Sequence, residues 1–221
     1  MKTQHISQQG DNLIVYFAGW GTPPSVVEHL ILPENYDLCL CYDYRDLHCD
    51  VDFSAYQHIR VVAWSMGVWV AERVMQGYPL LSATAINGTG LPCDDQYGIP
   101  EAIFAGTLSG LNEDNRTKFE RRICGSKTLL RDYQHYSMRP TLQEIHAELT
   151  ALYTFLQQDH RTDLISWSKA IVGSKDKIFP AQNQRAYWQD RCAITEIAGG
   201  AFVVSSLHPL GNLLVVAHGS Y

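Results

Sequence analysis

No apolar run in this chain approaches the roughly 18–20 residues a membrane-spanning helix needs. None of its six cysteines (Cys39, Cys41, Cys49, Cys93, Cys124, Cys192) forms a C-x-x-C pair, and no Cys/His cluster has zinc spacing. Reduced thiols are therefore expected, with no metal and no disulfide framework. Basic charge is not in excess: 17 Lys and Arg against 23 Asp and Glu give a net charge of −6, which argues against general nucleic-acid binding. The N-terminus, MKTQHISQQGDN, has no apolar stretch, so no signal peptide is expected. Repeats and low-complexity tracts are also missing. These absences suggest a cytoplasmic chain without a membrane segment.

What is present is ample apolar material, 46% of 221 residues, enough for one sizeable core. Leu13 to Ala18, Tyr36 to Tyr42, Ile59 to Trp64, Ser82 to Asn87, Lys169 to Val172 and Ala193 to Ile197 read as short buried strands. Helices are expected at Val26 to Leu32, Val68 to Met75 (closed by Gly77), Gln182 to Gln189 and Leu210 to His218. This alternation predicts an α/β fold with a mostly parallel central sheet flanked by helices. Residues 91 to about 165 break the rhythm with helical spacing at Asn112–Ile123 and Leu142–Gln157. One domain over 1–221, with a helical lid insertion at about 91–165, is the expected organisation.

Residues 63–67 read AWSMG, which places Ser65 between a strand and a helix with small residues two positions to either side. That is close to the G-x-S-x-G turn, with Ala63 in place of the first glycine. A helix beginning behind Ser65 points its positive end at the hydroxyl and offers the Met66 N–H to an oxyanion. A serine buried in an apolar stretch is the plainer alternative. By the logic of such folds, a second N–H comes from the loop after an earlier strand, here Trp20 in FAGWG, whose indole is placed to wall an acyl pocket. The acid is expected after a later strand, at Asp176 in IVGSKDKIFP; the alternative is a solvated Asp between two lysines. A histidine should follow the last strand. The segment there is AGGAFVV, and the first downstream histidine is His208.

FAGWG (17–21), AWSMGVW (63–69), INGTGLP (86–92), GIPEAIFAGTLSGLNEDNRTKFERRIC (98–124) and VGSKDKIFP (172–180) together resemble the α/β-hydrolase superfamily. More narrowly, they resemble the BioG-type pimeloyl-[acyl-carrier protein] methyl ester esterases of biotin synthesis. The resemblance covers nearly the whole chain. It implies hydrolysis of the methyl ester with release of methanol, without cofactor. Ser65 would match the nucleophile, Asp176 the acid, and Trp20 with Met66 the oxyanion donors. Ala201 stands where such a family carries histidine. Three explanations compete: a His-to-Ala replacement, service by His208, or a naturally base-less relative.

The implied partner is an acidic acyl-carrier protein, with neither nucleic acid nor membrane. Arg116, Lys118, Arg121 and Arg122 are the expected contacts, within a basic insertion that also holds Lys127, Arg131 and Arg139. A solvated helical face accounts equally for those charges. Phe104, Phe119, Tyr133 and Tyr136 are candidates to line an acyl channel or simply to form the core of the insertion. A general short-chain carboxylesterase or thioesterase, or a non-catalytic acyl-binding relative, remains the alternative reading.

Overall fold

The computed structural model describes residues 1–27 and 30–202. The expected helix at Leu210–His218, and His208 with it, lie outside the described residues. Seven strands form one sheet: β1 (Lys2–Ile6), β2 (Asn12–Phe17), β3 (Tyr36–Tyr42), β4 (His58–Trp64), β5 (Leu80–Ile86), β6 (Lys169–Gly173) and β7 (Ala193–Ile197). Their spatial order is β1-β3-β2-β4-β5-β6-β7. All neighbours run parallel except β1, which pairs antiparallel with β3.

β2 and β4 lie in the middle of this sheet and are buried on both faces, so they read as continuous apolar runs. β4 sends Ile59, Val61 and Ala63 into one core, and Val62 and Trp64 into the other. The helices are α1 (Gly67–Val74), α2 (Glu101–Ser109), α3 (Glu113–Cys124), α4 (Lys127–His135), α5 (Leu142–Gln158) and α6 (Ala181–Trp188). Four of them, α2 to α5, follow one another between β5 and β6. Helix α5 starts at a capping box: the Thr141 side chain accepts from the Glu144 N–H while the Glu144 side chain returns to the Thr141 N–H.

Some local expectations need correction. In place of the helix expected at Val26–Leu32, the described residues show a 3-10 turn at Pro24–Val27, begun early by Pro23-Pro24, and an irregular stretch from Leu30 to Pro33; residues 28 and 29 lie outside the described residues. Gly77 does not cap α1. Met75 does, its N–H bonding to the Ala71 carbonyl, and Gly77 takes φ +87° in the turn beyond. Strand β1 has no apolar alternation because it is an exposed edge.

Candidate active site

Ser65 sits between β4 and α1 with φ +58°, a left-handed conformation uncommon in a non-glycine residue. The turn is pinned by Ser65 N–H donating to the Ile86 carbonyl (2.9 Å) and Val68 N–H donating to the Ser65 carbonyl (3.1 Å). Two glycines make the bend possible. A Cβ on Gly67 would lie 2.5 Å from the Phe17 carbonyl oxygen, and one on Gly88 would lie 2.3 Å from that of Ser65. At position 63 the small alanine methyl is accommodated and fully buried.

Ser65 faces a cleft of about 690 Å³, open solvent at its mouth included. Gly19, Trp20 and Met66 flank it on the body side; Phe104, Phe119 and Leu149 bring apolar surface from α2, α3 and α5. Arg122, Lys177, Ile178 and Ala201 complete the wall near the loops. Tyr133 and Tyr136 are not on this wall; they pack against each other, and Tyr133 also against Phe202. Among the described residues, the backbone N–H groups of Trp20 and Met66 donate no hydrogen bond, nor does the Ser65 hydroxyl make one. The Trp20 indole N–H is engaged with the Ile145 carbonyl at 2.8 Å.

Asp176 lies just behind the wall, in the turn after β6. One carboxylate oxygen accepts from the N–H groups of Ile178 (2.8 Å) and Phe179 (3.1 Å), the other from the Gln184 amide (3.1 Å). Burial pushes its pKa up to about 7, although those hydrogen bonds pull the other way. No cation or imidazole faces it among the described residues. The turn is bonded to the segment after β7: Ser174 N–H donates to the Ile197 carbonyl, and Lys175 N–H to that of Gly199. The turn that carries Asp176 is thereby joined to the strip that leads to Ala201.

Ala201 is buried, and its carbonyl accepts from the Trp64 indole and from Asn87, both at 2.9 Å. Asn87 also donates to the Gly200 carbonyl (3.1 Å) and accepts from Gly173 N–H (2.7 Å). One amide thus clips β6 and the 200–201 segment to the end of β5. Sequence reasoning passed over Asn87; its position just beyond a strand and before glycine, with φ +46° in the structure, was the available signal. None of the six described histidines (His5, His48, His58, His135, His146, His160) lines the cleft.

The basic residues between β5 and β6 divide. Arg116 and Arg139 both bond to the buried Glu120, with Arg116 at 3.0 Å, and Arg116 also donates to the Pro140 carbonyl. These two are interior struts. Lys118 is exposed beside Asn115. Arg121 and Arg122 are exposed and make no ion pair among the described residues, and Arg122 lies at the cleft mouth with Lys177.

A mostly parallel sheet, with a left-handed serine turn opening on a largely apolar cleft, defines an α/β-hydrolase. An esterase from Exiguobacterium antarcticum superposes with a TM-score of 0.65 at 12% identity, over 91% of this chain and 88% of that one, which speaks to the fold alone. The chain belongs to the BioG family: the model described as pimeloyl-ACP methyl esterase BioG matches residues 1–210. The crystal structure of BioG from Haemophilus influenzae superposes with a TM-score of 0.94 at 61% identity, covering 96% of this chain and 99% of that one. An uncharacterised Haemophilus influenzae protein is 63% identical over 205 residues, 93% of this chain and 95% of that protein. A malonyl-[acyl-carrier protein] O-methyltransferase of Bacteroides fragilis is 43% identical over 182 residues, which is 81% of this chain but 37% of that protein.

Proposed function

We propose that this chain binds pimeloyl-[acyl-carrier protein] methyl ester in the cleft, with the ester carbonyl over Ser65. The observation that carries the reading is the left-handed Ser65 at the head of α1, facing a largely apolar cleft. In this reading the insertion of α2 to α5 is a lid over the acyl chain, and the protein acts in the cytoplasm. Arg122 and Lys177 at the mouth receive the acidic carrier protein, with Arg121 alongside. Lys118 is placed for an outer contact, whereas Arg116 is occupied with Glu120.

With an imidazole at position 201, the chemistry is acyl transfer through a covalent intermediate. The imidazole takes the Ser65 proton as Oγ bonds to the ester carbon. The Trp20 and Met66 N–H groups hold the resulting oxyanion. The imidazolium then returns that proton to the departing methoxide, and methanol leaves. Water, deprotonated by the same imidazole, opens the acyl-serine to give the free carboxylate and restore Ser65. Asp176 steadies the imidazolium. With Ala201 in place, no group near Ser65 among the described residues can take its proton, so substrate binding without turnover is expected. This favours the non-catalytic acyl-binding relative as the second reading for the chain as it stands.

Mass spectrometry of the carrier protein after incubation separates the outcomes. The unaltered chain should leave the methyl ester intact over many half-lives of the restored enzyme. Ala201→His should remove the 14 Da methylene equivalent, with kcat raised by on the order of 10³-fold or more. No demethylation by Ala201→His, together with no labelling of its Ser65 by a fluorophosphonate, would defeat the esterase reading. Equal rates on short esters with no advantage for the carrier-linked one would turn it into a general carboxylesterase.

A further inference from the structure

Helix α5 carries a carboxylate on its apolar face. Ile145, Leu149, Leu152 and Leu156 are buried there, and Glu148 is buried among them. Its Oε2 accepts from the Gly21 N–H at 3.1 Å and its Oε1 from the Tyr44 N–H at 3.0 Å. The Tyr44 hydroxyl in turn donates to the Ala18 carbonyl at 2.7 Å. One turn earlier on α5, the Ile145 carbonyl takes the Trp20 indole N–H. Gly21 is therefore tied directly to the buried carboxyl group and Ala18 indirectly, through Tyr44, while the Trp20 side chain between them is tied to the same helix. The segment so fixed contains the Trp20 backbone N–H, which has no acceptor among the described residues and sits on the cleft wall.

We propose that Glu148 is a positioning residue that aims the Trp20 N–H at the ester oxyanion by bracketing the 18–21 loop through Gly21 and Tyr44. The inference rests on the esterase reading above, which supplies the oxyanion. Burying a carboxyl group against apolar neighbours is costly unless its oxygens are hydrogen-bonded. Two backbone donors from separate loops meet that need, and an apolar residue in its place would leave the buried Tyr44 N–H and the half-buried Gly21 N–H without that acceptor. Burial pushes the Glu148 pKa up to about 7, against the pull of those two donors. Because the oxyanion donors act only when their geometry is fixed beforehand, a loosened loop should slow the chemical step rather than weaken substrate binding.

Two measurements test this. In the unaltered chain, Glu148→Gln, which keeps one acceptor oxygen at the same reach, and Glu148→Ala are compared by hydrogen exchange. The Gly21 and Tyr44 amides should exchange about ten-fold faster or more in Glu148→Ala, less in Glu148→Gln, with the β4 amides unchanged. In the Ala201→His background, kcat should fall roughly 10-fold for Glu148→Gln and roughly 100-fold for Glu148→Ala, with KM within about two-fold. Unchanged exchange at Gly21, acceleration spread over the whole sheet, or a KM effect without a kcat effect would each overturn the assignment. If Ala201→His hydrolyses no ester, the esterase reading fails by itself. The exchange pattern in the unaltered chain still decides whether Glu148 holds the loop.

Discussion

Asp176 carries the least compensated charge of the site. Its carboxyl is buried, receives three hydrogen bonds and faces no cation among the described residues, so its pKa rises from 3.8 to about 7. The consequence for stability has a definite sign. Between about pH 4 and 7 the folded chain holds a proton that the unfolded chain has released, so stability from this group is present at low pH and is lost as pH rises through 7. A shift of about three units sets a ceiling of roughly 4 kcal/mol. Asp176→Asn should therefore flatten the fall between pH 5 and pH 8 and gain about 1–2 kcal/mol at pH 8. The gain is below the ceiling because a neutral amide serves the Gln184 donor less well. Urea midpoints at the two pH values give the comparison; an equal fall in both proteins would show the carboxyl to be solvated. Glu72 and Glu148, also buried and also pushed up to about 7, will contribute falls that the substitution does not remove.

At the scale of elements, the proposed site draws on residues where strand ends meet: Ser65 follows β4, Asp176 follows β6, and position 201 lies in the strip after β7. Asn87, at the end of β5, ties two of these together through three hydrogen bonds. Asn87→Ala would leave two carbonyls and one N–H without that partner in a buried setting. A loss of about 2–4 kcal/mol in urea unfolding is expected, with the Gly173 amide exchanging faster than those of β2. A loss under about 0.5 kcal/mol would mean that water replaces the amide without cost. The helices between β5 and β6 divide labour in the same physical way. α3 turns Arg116 inward to Glu120 and leaves Arg121 and Arg122 outward, while α5 turns Glu148 inward to the 18–21 loop. A charged residue among the apolar positions of α5, three residues after Ile145, was the available sign that this helix does more than fill space.

Across the whole molecule, a net −6 chain presents at the cleft mouth cations that make no ion pair among the described residues. If an acidic carrier protein docks there, charge reversal should act through encounter more than chemistry. In the Ala201→His background, Arg122→Glu with Lys177→Glu should lower kcat/KM for the carrier-linked ester roughly ten-fold at low salt. The loss should be smaller for a short chromogenic ester, and the difference should shrink as salt screens the surface. Equal losses on both substrates at every ionic strength would place these cations in the acyl site instead. Among the described residues no helix is long and apolar enough to cross a membrane.

The sequence by itself determined the strand–helix alternation, the turn at Ser65 and the loop after β6 that holds Asp176, because central parallel strands must be apolar on both faces and a cramped turn requires small residues beside the serine. It also exposed the alanine at 201. Edge strand β1 and the short helix α2 left little trace, since exposed or short elements need no apolar period. Only the tertiary structure decided which basic side chains are struts and which face the cleft, and that Asn87 and Glu148 bind distant loops to the site. Those assignments depend on contacts between residues up to 127 positions apart, which no local pattern encodes.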